Sequence, residues 1–280
     1  MSKAPFITLN NGVHIPQLGF GVWQMTDAEA ADAVATALRE GYRSIDTAAI
    51  YRNEKGTGRA LAASGIAREE LFVTTKLWNS ASETWTRDSV QREFDASLSR
   101  LGLNYVDLYL VHWPRPMRDD YLTIWRAFEE IHRSGRAKAI GVSNFQSAHL
   151  RRLMDETEIV PAVNQIELHP DFAQSELRAF GAEHGIATEA WSPLGQGKGL
   201  LHDPVIGKIA GKHGRTPAQI VLRWHLQLGN IVIPKSVTPS RIAENFDIFG
   251  FELDGEDLAA LGALDKGNRL GPEPGTFDWS

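Results

Sequence analysis

Short apolar strands alternate with amphipathic helical segments along almost the whole chain, and this alternation restricts the fold more than any single residue does. Leu18 to Gly21 reads as a first strand and Asp27 to Glu40 as its helix. Gly41 follows where a helix C-cap needs a left-handed residue. Tyr42 to Asp46, Leu71 to Leu77 and Tyr105 to Trp113 are the next three strands. Between them stand a helix from Glu54 to Ala63 and one ending near Leu101, which carries Val90, Phe94, Leu98 and Leu101 on one face. The pattern continues with helix Tyr121 to Ser134, strand Ala137 to Val142, helix Ser147 to Met154, strand Ala162 to Ile166, helix Gln174 to His184 and strand Ile186 to Ala190. A glycine-rich loop follows Ser192. Thr216-Pro217 then starts a helix to about Leu228, Ile231 to Ile233 is the eighth strand, and Thr238-Pro239 repeats the start signal of a capping residue followed by proline. Eight parallel strand-then-helix units, with no compositional break between them, close most simply into one (β/α)8 TIM barrel over residues 1–280, an α/β fold. Ahead of the first unit, Phe6 to Leu9 and Val13 to Ile15 flank Asn10-Asn11-Gly12, a hairpin turn signal. This N-terminal β-hairpin is expected to plug one end.

Strands joined by helices run parallel, so their C-terminal ends share one face. Three consecutive strands each deliver one ionisable group there: Asp46, Lys76 and His112. Tyr51 follows Asp46 after a small-residue loop. A lysine at the end of an apolar strand is costly to bury unless a carboxylate pairs with it, and Asp46 is the available one. A free phenol, with a pKa of about 10, is too weak an acid or base for rapid work at neutral pH. A neighbouring ammonium is expected to pull it toward the working range, which makes tyrosine, lysine and aspartate a proton-transfer device. A neutral imidazole beside it can hydrogen-bond a substrate oxygen. Taken singly, Asp46 also suits a turn cap, Tyr51 a packed aromatic and His112 a core histidine. Their matched positions favour the functional reading.

The same face collects Trp23, Trp78, Trp113 and Trp191, four of the eight tryptophans, which suggests an aromatic-walled pocket. Ser143 and Asn144, Gln165 and Glu167, Ser192, and Lys235 and Ser236 end the later strands. In the last unit, Lys235, Ser236 and Arg241 surround the helix start at Thr238-Pro239, where free backbone NH groups make an anion site. An arginine fork and a lysine point charge suit a phosphorylated ligand better than a plain carboxylate.

Composition narrows the function classes. The net charge of −6 argues against a nucleic-acid surface, and the absence of cysteine removes disulfides, thiolate metal sites and cysteine nucleophiles. The N-terminal residues lack an apolar signal core and no apolar run is long enough for a bilayer, so a cytoplasmic protein without membrane contact is expected. A barrel with its site on one face can work alone, and a monomer is expected.

The segments LGFGVW, GYRSIDTAAIYRNE, TTKLW, VDLYLVHWP, IGVSNF, VNQIELHP, WSPLGQGKG and IPKSVTPSRIAENF give the chain a resemblance, along essentially its whole length, to the aldo-keto reductases. It most resembles compact bacterial members such as the 2,5-diketo-D-gluconate reductases. The resemblance implies an NADPH-dependent carbonyl reductase acting on aldehydes or ketones; the Trp23, Trp78 and Trp113 wall suggests broad acceptance, with α-keto compounds and keto sugars among the substrates. The resemblance further implies Tyr51 as general acid, Lys76 and Asp46 as the groups that tune it, and His112 as the group that orients the carbonyl. Trp191 would stack on the nicotinamide, where many members carry tyrosine, and Ser143, Asn144 and Gln165 would hold its carboxamide. Ser192, Leu194, Gly195 and Val237 complete the implied cofactor bed. Lys235, Ser236 and Arg241 would take the adenosine 2′-phosphate, and Glu244 and Asn245 the adenine. Trp23, Trp78 and Trp113 would wall the substrate pocket. In the tail, Gly271 to Ser280, Phe277 and Trp279 either fold over the site or leave it open.

Two other readings stand beside this one. A metal-dependent barrel isomerase or hydrolase would need a ligand spacing that the nine histidines do not show, and no metal is expected. A barrel that binds NADPH as a sensor or partner protein would turn over little.

Overall fold

The computed structural model describes residues 4–79 and 84–278. Its strands are β1 Phe6–Thr8, β2 His14–Pro16, β3 Phe20–Gly21, β4 Ser44–Asp46, β5 Phe72–Leu77, β6 Val106–Val111, β7 Ala137–Ser143, β8 Val163–Glu167, β9 Ala187–Trp191 and β10 Ile231–Val232. The α-helices are α1 Asp27–Glu40, α2 Glu54–Ala63, α3 Arg87–Leu101, α4 Tyr121–Arg133, α5 Ser147–Glu156, α6 Ser175–Glu183, α7 Pro204–His213, α8 Pro217–Gln227, α9 Pro239–Phe246 and α10 Gly255–Gly262.

Strands β3 to β10 pair in chain order, each parallel to the next. The ends then meet: Gly19 N donates to Val232 O at 2.9 Å, Val232 N to Gln17 O at 3.0 Å and Gly21 N to Pro234 O at 3.1 Å. The sheet is therefore a closed barrel with helices outside. Burial on both faces explains why β5 shows no alternation of apolar and polar residues: all six of its residues are buried, Thr74, Thr75 and Lys76 included. The helices stop and start where their caps dictate. Thr26 and Glu29 form a capping box at the start of α1, and Gly41 ends it at φ 113°. Thr86 and Gly102 frame α3 in the same way. Gly58 lets α2 lie directly on the end of α3, since a Cβ there would sit 2.2 Å from Leu101 O.

The hairpin β1–β2 pairs Ile7 with Ile15 and closes the end of the barrel where the strands begin. Leu9 and Ile15 pack with Phe72, Leu108, Val163 and Ile231, which lie in the first half of their strands or, for Phe72, Val163 and Ile231, at the first residue. Asn11 Nδ2 donates to Lys138 O at 3.0 Å and Asn10 Nδ2 to Pro161 O at 3.1 Å, tying the turn to the barrel. With this end shut, chemistry is confined to the opposite one.

Three details differ from the sequence expectation. The first barrel strand is only Phe20–Gly21, with Leu18 joined to Val232 by an isolated bridge. Strand β6 stops at Val111, so His112 and Trp113 belong to the loop beyond it. The stretch after β9 contains a helix of its own, α7, begun by the Asp203 cap and Pro204 and ended by Gly214 at φ 59°.

Candidate active site

Asp46 ends β4, Lys76 is the penultimate residue of β5, and Tyr51 closes a single helical turn over Ala49–Tyr51. The three meet. Lys76 Nζ donates to Asp46 Oδ1 at 2.5 Å and to Thr47 O at 3.0 Å, with the lysine side chain fully buried and that of Asp46 4% exposed. The same ammonium lies 5.1 Å from the centre of the Tyr51 ring. His112, held by its backbone N–H on Leu77 O at 3.2 Å, places its imidazole 5.8 Å from that ring, edge to face. All four sequence-selected groups therefore share one cluster, in which Asp46, Lys76 and His112 are buried and Tyr51 is half-buried.

Their electrostatics differ from expectation at one point. Lys76 does not bring the phenol toward neutrality: burial outweighs it, and Tyr51 stands above the ordinary tyrosine value, with Lys76 only moderating the rise. Tyr51 is consequently protonated at neutral pH and can give a proton. Burial also works against the charge on Lys76, but Asp46, Tyr51 and Glu189 together hold it above the ordinary lysine value. Burial, reinforced by Lys76, drives His112 well below its usual range, so its imidazole is neutral and its Nδ1 has no hydrogen-bond partner among the described residues.

A polar bed continues from this cluster across the next strands. Ser143 Oγ donates to Gln165 O at 2.8 Å, Asn144 Nδ2 to His112 O at 3.0 Å, and Gln165 Nε2 to Asp46 Oδ2 at 2.9 Å. Trp191 Nε1 donates to Asn144 Oδ1 at 2.8 Å, which fixes the half-buried indole beside the bed. Asn144 itself holds φ 63°, a conformation asparagine tolerates better than most residues. Beyond β9 the backbone turns at Ser192, φ 50°, and Gly195, φ 65°, with Leu194 packed on the core behind them. Gln196 donates to Ser192 Oγ at 3.0 Å.

At the start of α9, Ser236 Oγ accepts from Thr238 N at 3.1 Å. Lys235, Val237 and Arg241 are exposed, and among the described residues neither cation forms an ion pair. Glu244 is partly committed within the protein, accepting from Thr216 Oγ1 at 2.8 Å, while Asn245 is buried.

Of the three pocket tryptophans, Trp23 is exposed, Trp78 faces His112 edge to face at 4.9 Å, and Trp113 is buried. The tail covers this wall. Phe277 lies 4.1 Å from Trp113 and 6.3 Å from Trp78, ring centre to ring centre, and Arg118 holds Asp278 with Nε 2.9 Å from each oxygen. Trp279 lies outside the described residues. Further back, the backbone N–H groups of Leu270 and Gly271 donate to the two oxygens of Glu167 at 2.7 and 2.8 Å. Burial works against that carboxylate's charge, but these bonds and His169 hold its pKa below the ordinary value. A Cβ on Gly271 would lie 2.5 Å from Trp191 Cη2 and 2.9 Å from Glu167 Oε2. Gly271→Val is therefore expected to unseat the strap and cost about 1–3 kcal/mol. Urea unfolding gives that loss, and limited proteolysis near residue 270 reports the released tail.

Known proteins share this fold and much of this sequence. Residues 17–266 match the model of the Aldo/keto reductase family. The chain belongs to this family. It is 57% identical over 277 residues to an aldo-keto reductase of Mycolicibacterium smegmatis, covering 99% of each chain. It is 52% identical over 281 residues to the methylglyoxal reductase DkgA of Escherichia coli K12, again with 99% coverage of both. Among solved structures similar to this aldo/keto reductase, a mutant of Gox0644 in complex with NADPH superposes with a TM-score of 0.94 at 50% identity, covering 99% of this chain and 100% of that one.

Within this aldo/keto reductase scaffold two features carry no role in the sequence reading. Glu167 is visible there only as a strand-end acid, and its use as a clamp for the tail depends on residues a hundred positions away. Glu189, buried beneath Gln165, lies mid-strand rather than at a strand end. Its only signal is a charge inside the apolar segment Ile186 to Ala190. Among the described residues no three histidine, aspartate or glutamate side chains cluster as a metal ion would require. No helix among them is long and apolar enough to cross a membrane.

Proposed function

We propose that this protein is an NADPH-dependent reductase of small carbonyl compounds, with α-keto aldehydes and keto sugars as the first substrate classes to examine. The observation that carries the proposal is Lys76, fully buried between Asp46 and the Tyr51 ring, beside a neutral His112. A structural ion pair has no need of a phenol and an uncharged imidazole on the same side. A proton donor for a carbonyl oxygen needs both.

The residues present fit the cofactor. Trp191 supplies an indole face, Ser143, Asn144 and Gln165 supply amide and hydroxyl groups, and the exposed Lys235 and Arg241 at the start of α9 suit a phosphate. Ser236 adds a hydroxyl at that helix start, while Ser192, Leu194, Gly195 and Val237 line the approach. Asn245 and the part-committed Glu244 remain for the adenine. When bound, NADPH supplies the hydride. Tyr51 gives its proton to the carbonyl oxygen as charge develops there. The Lys76 ammonium stabilises the phenolate left behind, and Asp46 keeps that ammonium charged and in place. Neutral His112 donates a hydrogen bond to the same oxygen without competing for its proton. Trp23, Trp78, Trp113 and Phe277 hold the substrate's carbon chain and exclude water.

Oxidation of NADPH in the presence of methylglyoxal or a keto-sugar acid tests the reading, with steady consumption expected. Binding of NADPH without consumption would favour the sensor or partner protein, and loss of activity on chelation the metal enzyme. Arg241→Ala is expected to weaken NADPH binding about tenfold, the loss of one exposed charge-assisted contact, and to leave NADH binding unchanged. Fluorescence titration with both nucleotides checks this. Residues 1–280 acting as one domain, a monomeric state and a cytoplasmic location complete the proposal.

A further inference from the structure

The floor of the site holds a second acid that the proton-transfer set leaves unused. Glu189 is fully buried in β9, between its register partners Gln165 on β8 and Ile231 on β10. Gln165 Nε2 donates to Glu189 Oε2 at 2.9 Å and to Asp46 Oδ2 at 2.9 Å. One amide nitrogen thus joins two carboxyl groups. Glu189 Oε1 has no hydrogen-bond partner among the described residues. The titratable groups in its field are Asp46 on β4, Lys76 on β5 and Tyr51 on the turn after β4. Its strand partners, Gln165 and Ile231, do not titrate.

We propose that Glu189 is a positioning residue for the reaction: joined to Asp46 through Gln165, its carboxyl sets the charge beneath the Asp46–Lys76 pair and so how firmly Tyr51 keeps its proton. The proposal rests on the reductase reading above. Because both acids take the nitrogen of Gln165, they also fix its amide so that the carbonyl oxygen is the end left for a ligand.

The sign of the effect follows from the charges. Burial and the Asp46 charge push Glu189 up to about 8, so at neutral pH it is protonated and the floor, Asp46 with Lys76, carries no net charge. Above that value the floor gains one negative charge in the interior of the barrel, where screening is weak. That charge raises the cost of a phenolate at Tyr51. The native enzyme therefore retains its proton donor further into alkaline solution than it would with an uncharged residue at 189.

Glu189→Gln preserves the shape and the acceptor for Gln165 while removing the ionisation. Profiles of kcat/KM against pH are measured for carbonyl reduction and for alcohol oxidation in both proteins. The alkaline fall of reduction, where Tyr51 loses its proton, is expected to begin about one pH unit lower in the variant, a tenfold relative loss at high pH. The rise of oxidation should move down with it. Profiles that differ by one constant factor at every pH overturn the proposal, since packing alone would give that result. A second readout needs neither turnover nor the variant. In native protein carrying glutamate labelled with carbon-13 at the carboxyl, one resonance should titrate with a midpoint near 8. If every glutamate titrates below about pH 6, close to the ordinary carboxylate range, the buried acid is refuted whatever the activity. Absence of carbonyl reduction together with a carboxyl titrating near 8 would instead contradict the reductase reading.

Discussion

Tyr51→Phe is expected to reduce turnover about a thousandfold while leaving NADPH affinity at its native value. The substitution removes one oxygen from a ring whose position is set by Lys76 at 5.1 Å and His112 at 5.8 Å, so the site keeps its shape. What disappears is the proton. Because burial holds the phenol above its ordinary value, the native donor is protonated throughout the neutral range, and reduction should show no loss of the acid form until well into alkaline pH. The companion His112 is already neutral at pH 7, so its ionisation should limit the rate only on the acid side, well below its ordinary value. Steady-state kinetics with a fluorescence titration of NADPH separates the two quantities. A fall of less than tenfold would remove Tyr51 from the chemistry.

Lys76→Met should be the most damaging single change to the fold, lowering stability by about 3–5 kcal/mol. Its ammonium is fully buried and bonded to both Asp46 and Thr47 O, and removal leaves the Asp46 carboxylate in the barrel with Gln165 as its remaining donor. The cost arises from the stranded charge more than from the lost attraction. Asp46→Leu combined with Lys76→Met should therefore be more stable than Lys76→Met alone, yet inactive. Urea unfolding of the native protein and both variants measures this. A double variant less stable than the single one would mean that packing, not charge, dominates at this position.

The barrel and the four central residues are legible in the sequence because both depend on local pattern plus topology. Parallel strands must end on one face, so Asp46, Lys76 and His112 can be placed together from their strand ends alone. Helix starts at Thr216-Pro217 and Thr238-Pro239 are equally plain, since proline at the first helical position acts locally, although only Thr216 of the two threonines caps its helix with its side chain. The same signal at Asp203-Pro204 is hidden behind a glycine-rich stretch, which makes α7 indistinguishable from loop. The direction of the Tyr51 shift is not legible. It depends on the balance between desolvation and one ammonium, and depth of burial is a property of the closed barrel. Long-range partnerships escape for a similar reason: Glu167 with the N–H groups of Leu270 and Gly271, Glu244 with Thr216, and Gln165 with both Asp46 and Glu189. Nothing in the sequence around any one of these residues points to its partner.

The most direct test of the reductase chemistry follows the hydride itself. NADPH carrying deuterium at the transferable position of nicotinamide C4 is incubated with the native protein and methylglyoxal, and the product alcohol is analysed by NMR. Deuterium on the carbinol carbon, absent when Tyr51→Phe replaces the native chain, is the expected result. A product without deuterium, or NADPH that binds and is recovered unchanged, would contradict it.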